Sequence, residues 1–131
     1  MHTKRMTATN ADEADHGTDA LIFAVDACID CAQACTACAD ACLAEDTVAE
    51  LRHCIHLNLD CADVCAATAR VATRRASDNS GVLPGLLQAC ALACRLCAEE
   101  CERHAAHHQH CRICAEACRD CERACQQAVG L

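Results

Sequence analysis

The chain has 131 residues, a formal charge of −8, and 17 cysteines beside a single Phe and no Trp or Tyr. That length fits one domain with a modest core, and the acidic balance excludes nucleic acid, which needs a basic footprint. Only 21 residues are Leu, Ile or Val, so without its cysteines the chain would approach the composition of sequences too poor in apolar surface to fold; the thiols belong inside.

Residues 1–17 read as a flexible N-terminal tail. Met1, His2, Met6 and His16 are soft donors there, but a solvated leader is the favoured reading. The tail has no hydrophobic segment of the kind a secretory signal needs, and no apolar run approaches the length that spans a membrane. The expected compartment is therefore the reducing cytoplasm, where thiols stay reduced. An odd cysteine count also disfavours a disulfide framework. So does geometry: i,i+4 Cβ atoms on a helix lie about 5–6 Å apart, against about 3.5–4.5 Å in a disulfide.

Residues 18–131 read as a bundle of four helices, at about 18–44, 47–75, 84–105 and 108–128. Thr18 and Asp19 are N-cap types for the first. Within it Cys28, Cys31, Cys35, Cys38 and Cys42 recur at spacings of three and four, the period of one buried stripe. Thr47-Val48-Ala49-Glu50 has the form of a capping box opening the second helix. That helix carries Cys54, Cys61 and Cys65, a polar face with His53 and His56, and a second apolar stripe (Val48, Leu51, Ile55, Leu59, Ala62, Ala66) suited to a neighbouring helix or subunit. Ser77–Gly81 is the one strong breaker cluster. Pro84 suits the first turn of the third helix, whose stripe is Cys90, Cys94, Cys97 and Cys101. A turn near Ala105–His107 then leads to Cys111, Cys114, Cys118, Cys121 and Cys125.

Folding this chain into antiparallel hairpins, with turns near residues 46 and 106, places the cysteines in levels. Cys42, Cys101 and Cys111 fall together with Leu51; Cys38, Cys54, Cys97 and Cys114 follow; then Cys35, Cys94 and Cys118 with Asn58. Cys31, Cys61, Cys90 and Cys121 make the next level, and Cys28, Cys65 and Cys125 with Leu87 the last. The register predicts an all-α, antiparallel up-down-up-down four-helix bundle with a Cys-lined core. One end continues as an apolar plug of Leu21, Val25, Thr68, Ala72, Leu83, Leu86 and Val129; the other continues as His104 and His108, where ions would enter.

Thiolate is a soft ligand that suits Cu(I), Zn(II) and iron–sulfur clusters. Structural zinc prefers four ligands on knuckles or loops, and iron–sulfur sites use loop-borne cysteines; neither matches unbroken helical stripes. Cu(I) accepts two or three thiolates, and seven C-x3-C pairs, such as Cys31/Cys35 and Cys121/Cys125, put two sulfurs on successive turns of one helix. One proton displaced per Cu(I) would leave the core charge nearly unchanged. No nucleophile with an ionisable partner marks an enzyme site.

On these residues the chain resembles the cytosolic branch of the copper storage proteins over about residues 18–128. The resemblance implies storage and sequestration of many Cu(I) ions per chain, held mainly by intrahelical C-x3-C pairs, with polar ligands at the open end and assembly as a homotetramer. Carried onto this sequence, the mouth ligands are His104 and His108, with Asn58 a candidate deeper in, although a core Asn more often fixes register. His53 and His56 are read as polar-face residues, and His107 and His110 as solvated turn residues. Copper chaperones or small thiols are the expected exchange partners. The competing readings are a zinc or general thiol-metal buffer and a thiol redox protein; the latter needs exposed, low-pKa thiols.

Overall fold

A computed structural model describes residues 2–9, 18–76 and 78–130. Among these residues five α-helices follow one another: α1 (His2–Ala8), α2 (Thr18–Leu43), α3 (Arg52–Thr73), α4 (Leu83–His104) and α5 (Gln109–Val129). A short 3-10 helix, Val48–Leu51, precedes α3, and among the described residues there is no strand. The four long helices make an antiparallel ring in which α2 packs on α3 and α5, and α4 on the same two. This is the four-helix bundle that the cysteine register predicts.

Alternation of thiol and alanine makes the seams close. Cys, Ala and a few Leu and Val make up the buried apolar set, with Ala24, Ala39, Ala62, Ala98, Ala117 and Ala124 flanking the sulfur stripes. Small side chains on neighbouring stripes let the helix axes approach, so the column of sulfur is enclosed without large aromatic groups.

The connections hold their own bonds. Thr47 makes no side-chain cap, so the expected capping box does not form. Instead Val48 N–H donates to the Glu45 carbonyl at 3.2 Å and Glu50 N–H to that of Thr47 at 2.9 Å, i→i+3 bonds that satisfy the orphan donors of this helix entry. At the other end of α3, the Asn79 amide donates to the carbonyls of Val71 and Arg74, both at 2.9 Å. The Asn79 carbonyl in turn accepts from Val82 and Leu83 at 3.2 and 3.0 Å. One residue therefore clamps the exit of α3 to the entry of α4.

Two expectations change. Residues 2–8 are helical rather than a solvated leader: α1 packs on α2, and Thr7 is buried near Leu21, Val25 and Ala72. Thr7 thus lies beside the apolar plug. Residues 1 and 10–17 of the expected tail lie outside the described residues. Second, by length and composition α2 is apolar enough to cross a bilayer over Asp19–Leu43, with mean hydropathy 1.5. That apolarity comes largely from cysteine and alanine; Cys28, Cys31, Cys35, Cys38 and Cys42 are spent inside the bundle.

Replacing Asn79 by Ala should lower the stability of the metal-free protein by about 1 kcal/mol, the worth of a pair of partly exposed hydrogen bonds. Thermal melting followed by circular dichroism checks this, and an unchanged transition would mean the clamp is dispensable.

Candidate metal centre

Every cysteine is buried and reduced, with no disulfide. Helical periodicity explains the burial; the packing of one helix into the next explains the arrangement. Sulfurs gather in tetrads whose atoms lie within 4.8 Å of one another: Cys28/Cys90/Cys121/Cys125, Cys31/Cys65/Cys94/Cys121, Cys31/Cys35/Cys61/Cys118, Cys35/Cys97/Cys114/Cys118 and Cys38/Cys42/Cys54/Cys111. Cys31, Cys35, Cys118 and Cys121 each belong to two of these groups. The predicted flat levels are thus replaced by a stagger. Side chains of one helix enter the gaps between side chains of the next, so Cys61 sits against Cys31 at 3.9 Å and Cys94 at 3.7 Å, not beside Cys90.

Spacings suit a soft ion. Intrahelical C-x3-C sulfurs lie 3.8 Å apart for Cys31/Cys35 and Cys61/Cys65, and 4.0 Å for Cys38/Cys42 and Cys97/Cys101. Contacts across the bundle are as close, at 3.6 Å for Cys35–Cys118 and Cys121–Cys28 and 3.7 Å for Cys54–Cys101. A metal about 2.3 Å from each of three thiolates would set them about 4.0 Å apart. No large rearrangement is needed to admit ions between these sulfurs.

Asn58 is fully buried, one step nearer the mouth than its predicted level. Its Oδ1 accepts thiol protons from Cys97 at 3.0 Å, Cys114 at 3.4 Å and Cys101 at 3.5 Å, and its Nδ2 donates to Cys54 Sγ at 3.8 Å. The buried amide is therefore satisfied by sulfur alone.

At the mouth, His104 and His108 are both half-buried and face carboxylates. His104 Nε2 lies 2.9 Å from Glu100 Oε2, and His108 Nδ1 lies 3.6 Å from Glu45 Oε2. The reading of His110 as a solvated turn residue is corrected. Its Nδ1 reaches Cys38 at 3.5 Å, Cys111 at 3.6 Å and Cys42 at 3.9 Å, while Nε2 faces Glu45 Oε1 at 3.3 Å. Helix α5 begins at Gln109, with His108 in an extended conformation before it, which turns His110 inward. The spacing His110-x3-Cys114 repeats the C-x3-C step and was the signal to read. His107, His53 and His56 are exposed.

Electrostatics keeps most of this column protonated. Burial, with the charge of Cys54 adding, pushes the Cys42 thiol up to about 11, and burial likewise raises Cys111. In the middle, Cys101, Cys118 and Cys65 are raised because each serves as proton donor to neighbouring sulfurs, Cys114 foremost for the first two and Cys121 for the third, with burial adding. Five thiols move the other way: Cys54 near the mouth is held down to about 3 by the thiols of Cys101 and Cys38, with the charge of His104 contributing, and Cys31, Cys61, Cys90 and Cys114 are lowered by hydrogen bonds from neighbouring thiols. Thiolates packed this closely cannot all ionise unless cations enter with them.

A family model described as copper storage protein matches residues 18–130. The copper storage protein of Streptomyces lividans loaded with 10 copper equivalents is similar at a TM-score of 0.90 and 48% identity, covering 99% of this chain and 98% of that one. A structure described as copper loading to a cytosolic copper storage protein from the same organism, with five coppers, gives 0.86 and 53% identity over 88% of this chain and 96% of that one. The uncharacterized cysteine-rich protein YhjQ of Bacillus subtilis (strain 168) is 37% identical over 84 residues, 64% of this chain and 72% of its own length.

Since the raised thiols hold their protons at neutral pH, loading a soft monovalent ion should release about one proton per ion. Apparent affinity should then rise with pH and fall on acidification. A pH-stat record during anaerobic loading measures the ratio; loading without proton release would contradict the protonated column.

Proposed function

The chain belongs to the copper storage protein family, and from that membership we propose that it takes Cu(I) in through the histidine-bearing mouth and holds many ions along the thiol column in the cytosol. The observation that carries this reading is the set of buried sulfur tetrads that share vertices. A shared sulfur can bridge two ions, so a filled core is a continuous polynuclear load. Separate tetrahedral zinc sites would compete for Cys31, Cys35, Cys118 and Cys121, which weakens the zinc-buffer reading. Full burial of the thiols leaves a redox catalyst no exposed sulfur to attack with. Storage, with metal enclosed by thiolate and no position kept open for a substrate, is the function this geometry supports.

Ion entry follows from the polarity of the ends. Leu21, Val25, Leu83 and Leu87 close one end, while the other presents imidazoles above Cys38, Cys42, Cys54 and Cys111. Cys54, whose thiol is held down by those of Cys101 and Cys38, lies near that entrance. His110 is the first nitrogen donor in contact with the column, with His104 and His108 beside it, and Asn58 lies between the mouth tetrad and the deeper sulfurs. The seventeen cysteines are the storage ligands. Copper chaperones or small thiols that bind Cu(I) are the exchange partners. Assembly as a homotetramer is supported by apolar side chains facing outward, among them Leu92 and Leu96 one turn apart on α4, exposed at 47% and 42%.

Anaerobic titration with Cu(I), followed by native mass spectrometry, tests storage and subunit number together. A thiol-to-metal ratio near one predicts well above ~10 ions per chain, and the spectrum should show four chains. Saturation at one to four ions would overturn the storage reading. Loading should also raise the melting temperature markedly, because each ion bound at about a hundredfold above its Kd adds roughly 2.7 kcal/mol to the folded state.

A further inference from the structure

Imidazole has two nitrogens, and in its neutral form only one carries the proton. Which one is set by the hydrogen bond the other side of the ring makes, a detail that decides whether a histidine can act as a ligand. At the mouth this choice is built into the turn between α2 and the 3-10 helix. The backbone of Glu45 is fixed there, its N–H donating to the Cys42 carbonyl and its own carbonyl accepting from Val48, both at 3.2 Å. From that anchor its carboxylate crosses to the start of α5, with Oε1 at 3.3 Å from His110 Nε2 and Oε2 at 3.6 Å from His108 Nδ1. The two rings stand 5.3 Å apart, tilted by 34°.

An ionised carboxylate only accepts hydrogen bonds, so the His110 proton facing it sits on Nε2. Nδ1 then carries the lone pair, aimed at Cys38, Cys111 and Cys42 at 3.5–3.9 Å. We propose that Glu45 is a positioning residue for copper entry: its carboxylate fixes the Nε2–H tautomer of His110 and turns Nδ1 to the mouth thiols as a ready nitrogen donor for Cu(I). The contrast within the same mouth is the buried Glu100, which meets His104 at 2.9 Å but lies four residues away on the same helix, a spacing that helix periodicity supplies by itself. Glu45 and His110 are 65 residues apart in sequence, so their contact owes nothing to helix periodicity. The other carboxylate oxygen lies 3.6 Å from His108 Nδ1, so Glu45 faces both rings.

This inference rests on the mouth being the port for copper, and the experiment separates the two. Long-range proton–nitrogen NMR on the metal-free full chain reads the tautomer of His110 directly. Stopped-flow uptake of Cu(I), supplied as a colorimetric chelator complex, reads entry in the parent, Glu45→Ala, Glu45→Gln and His110→Ala proteins. The parent should show the Nε2–H form. Glu45→Ala should mix the tautomers and weaken capture of the first equivalents about 10–100-fold, the range seen when such outer partners are removed. Glu45→Gln, whose amide oxygen still accepts from Nε2–H, should keep both the tautomer and most of the uptake. A parent in the Nδ1–H form, a Glu45→Ala protein identical to the parent, or a Glu45→Gln protein as slow as Glu45→Ala would each overturn the proposal. If His110→Ala itself takes up copper at the parent rate, the port reading fails instead.

Discussion

Sulfur atoms in van der Waals range of one another, cut off from water, cannot all carry charge. In the absence of metal the column must remain largely protonated; with metal it must exchange each proton for a cation. The rest of the architecture serves this constraint. Four helices enclose the column so that water does not screen it, and the buried alanines along their seams let them close tightly. An apolar plug seals one end. The other carries the half-buried imidazoles of His104, His108 and His110.

A core of this kind packs well but is poor in apolar area, since a thiol is a small hydrophobe. Most of the larger buried side chains lie at the closed end, Leu21, Val25, Leu83 and Leu87, with Leu51 the exception near the mouth, and α1 adds Thr7 to the closed end. At the mouth the side chains are polar and paired: Glu45 is hydrogen-bonded to His110 and faces His108, and Glu100 is hydrogen-bonded to His104. Stability and access are thereby placed at opposite ends of one bundle. The loops matter for the same reason. Asn79 fastens the closed end, while the turn after α2 fixes Glu45 at the open one.

Much of this is written in the spacing of one residue type. Cysteines at three and four define the buried face of each helix, and matching their positions across two turns is enough to fix the antiparallel order. What the spacing does not contain is the stagger between helices. Cys97 meets Cys35 and Cys94 meets Cys31, at 4.0 Å each, because the true turns are not symmetric hinges: one is a 3-10 segment and the other leaves His108 extended. The same asymmetry explains His110. Extending the α4 stripe through the turn points to His104 and His108, but α5 restarts its own helical phase, in which His110 lies one turn before Cys114. Helix α1 carries no periodic signal, since its seven residues hold only Met6 and Ala8 as apolar positions; the surface that receives them is defined only by the fold.

Asn58 shows how far the constraint reaches. A lone amide in a sulfur column would be costly if left unpaired, and here its oxygen is held by the thiol protons of Cys97, Cys101 and Cys114. Those bonds exist only while the thiols are protonated. Metal loading removes the donors one at a time, so the group that satisfies Asn58 in the empty column is lost by the event the column exists for. Its oxygen must then turn to an incoming ion or to a remaining donor. The step from mouth tetrad to deeper sulfurs therefore passes a buried amide whose hydrogen bonds filling must change.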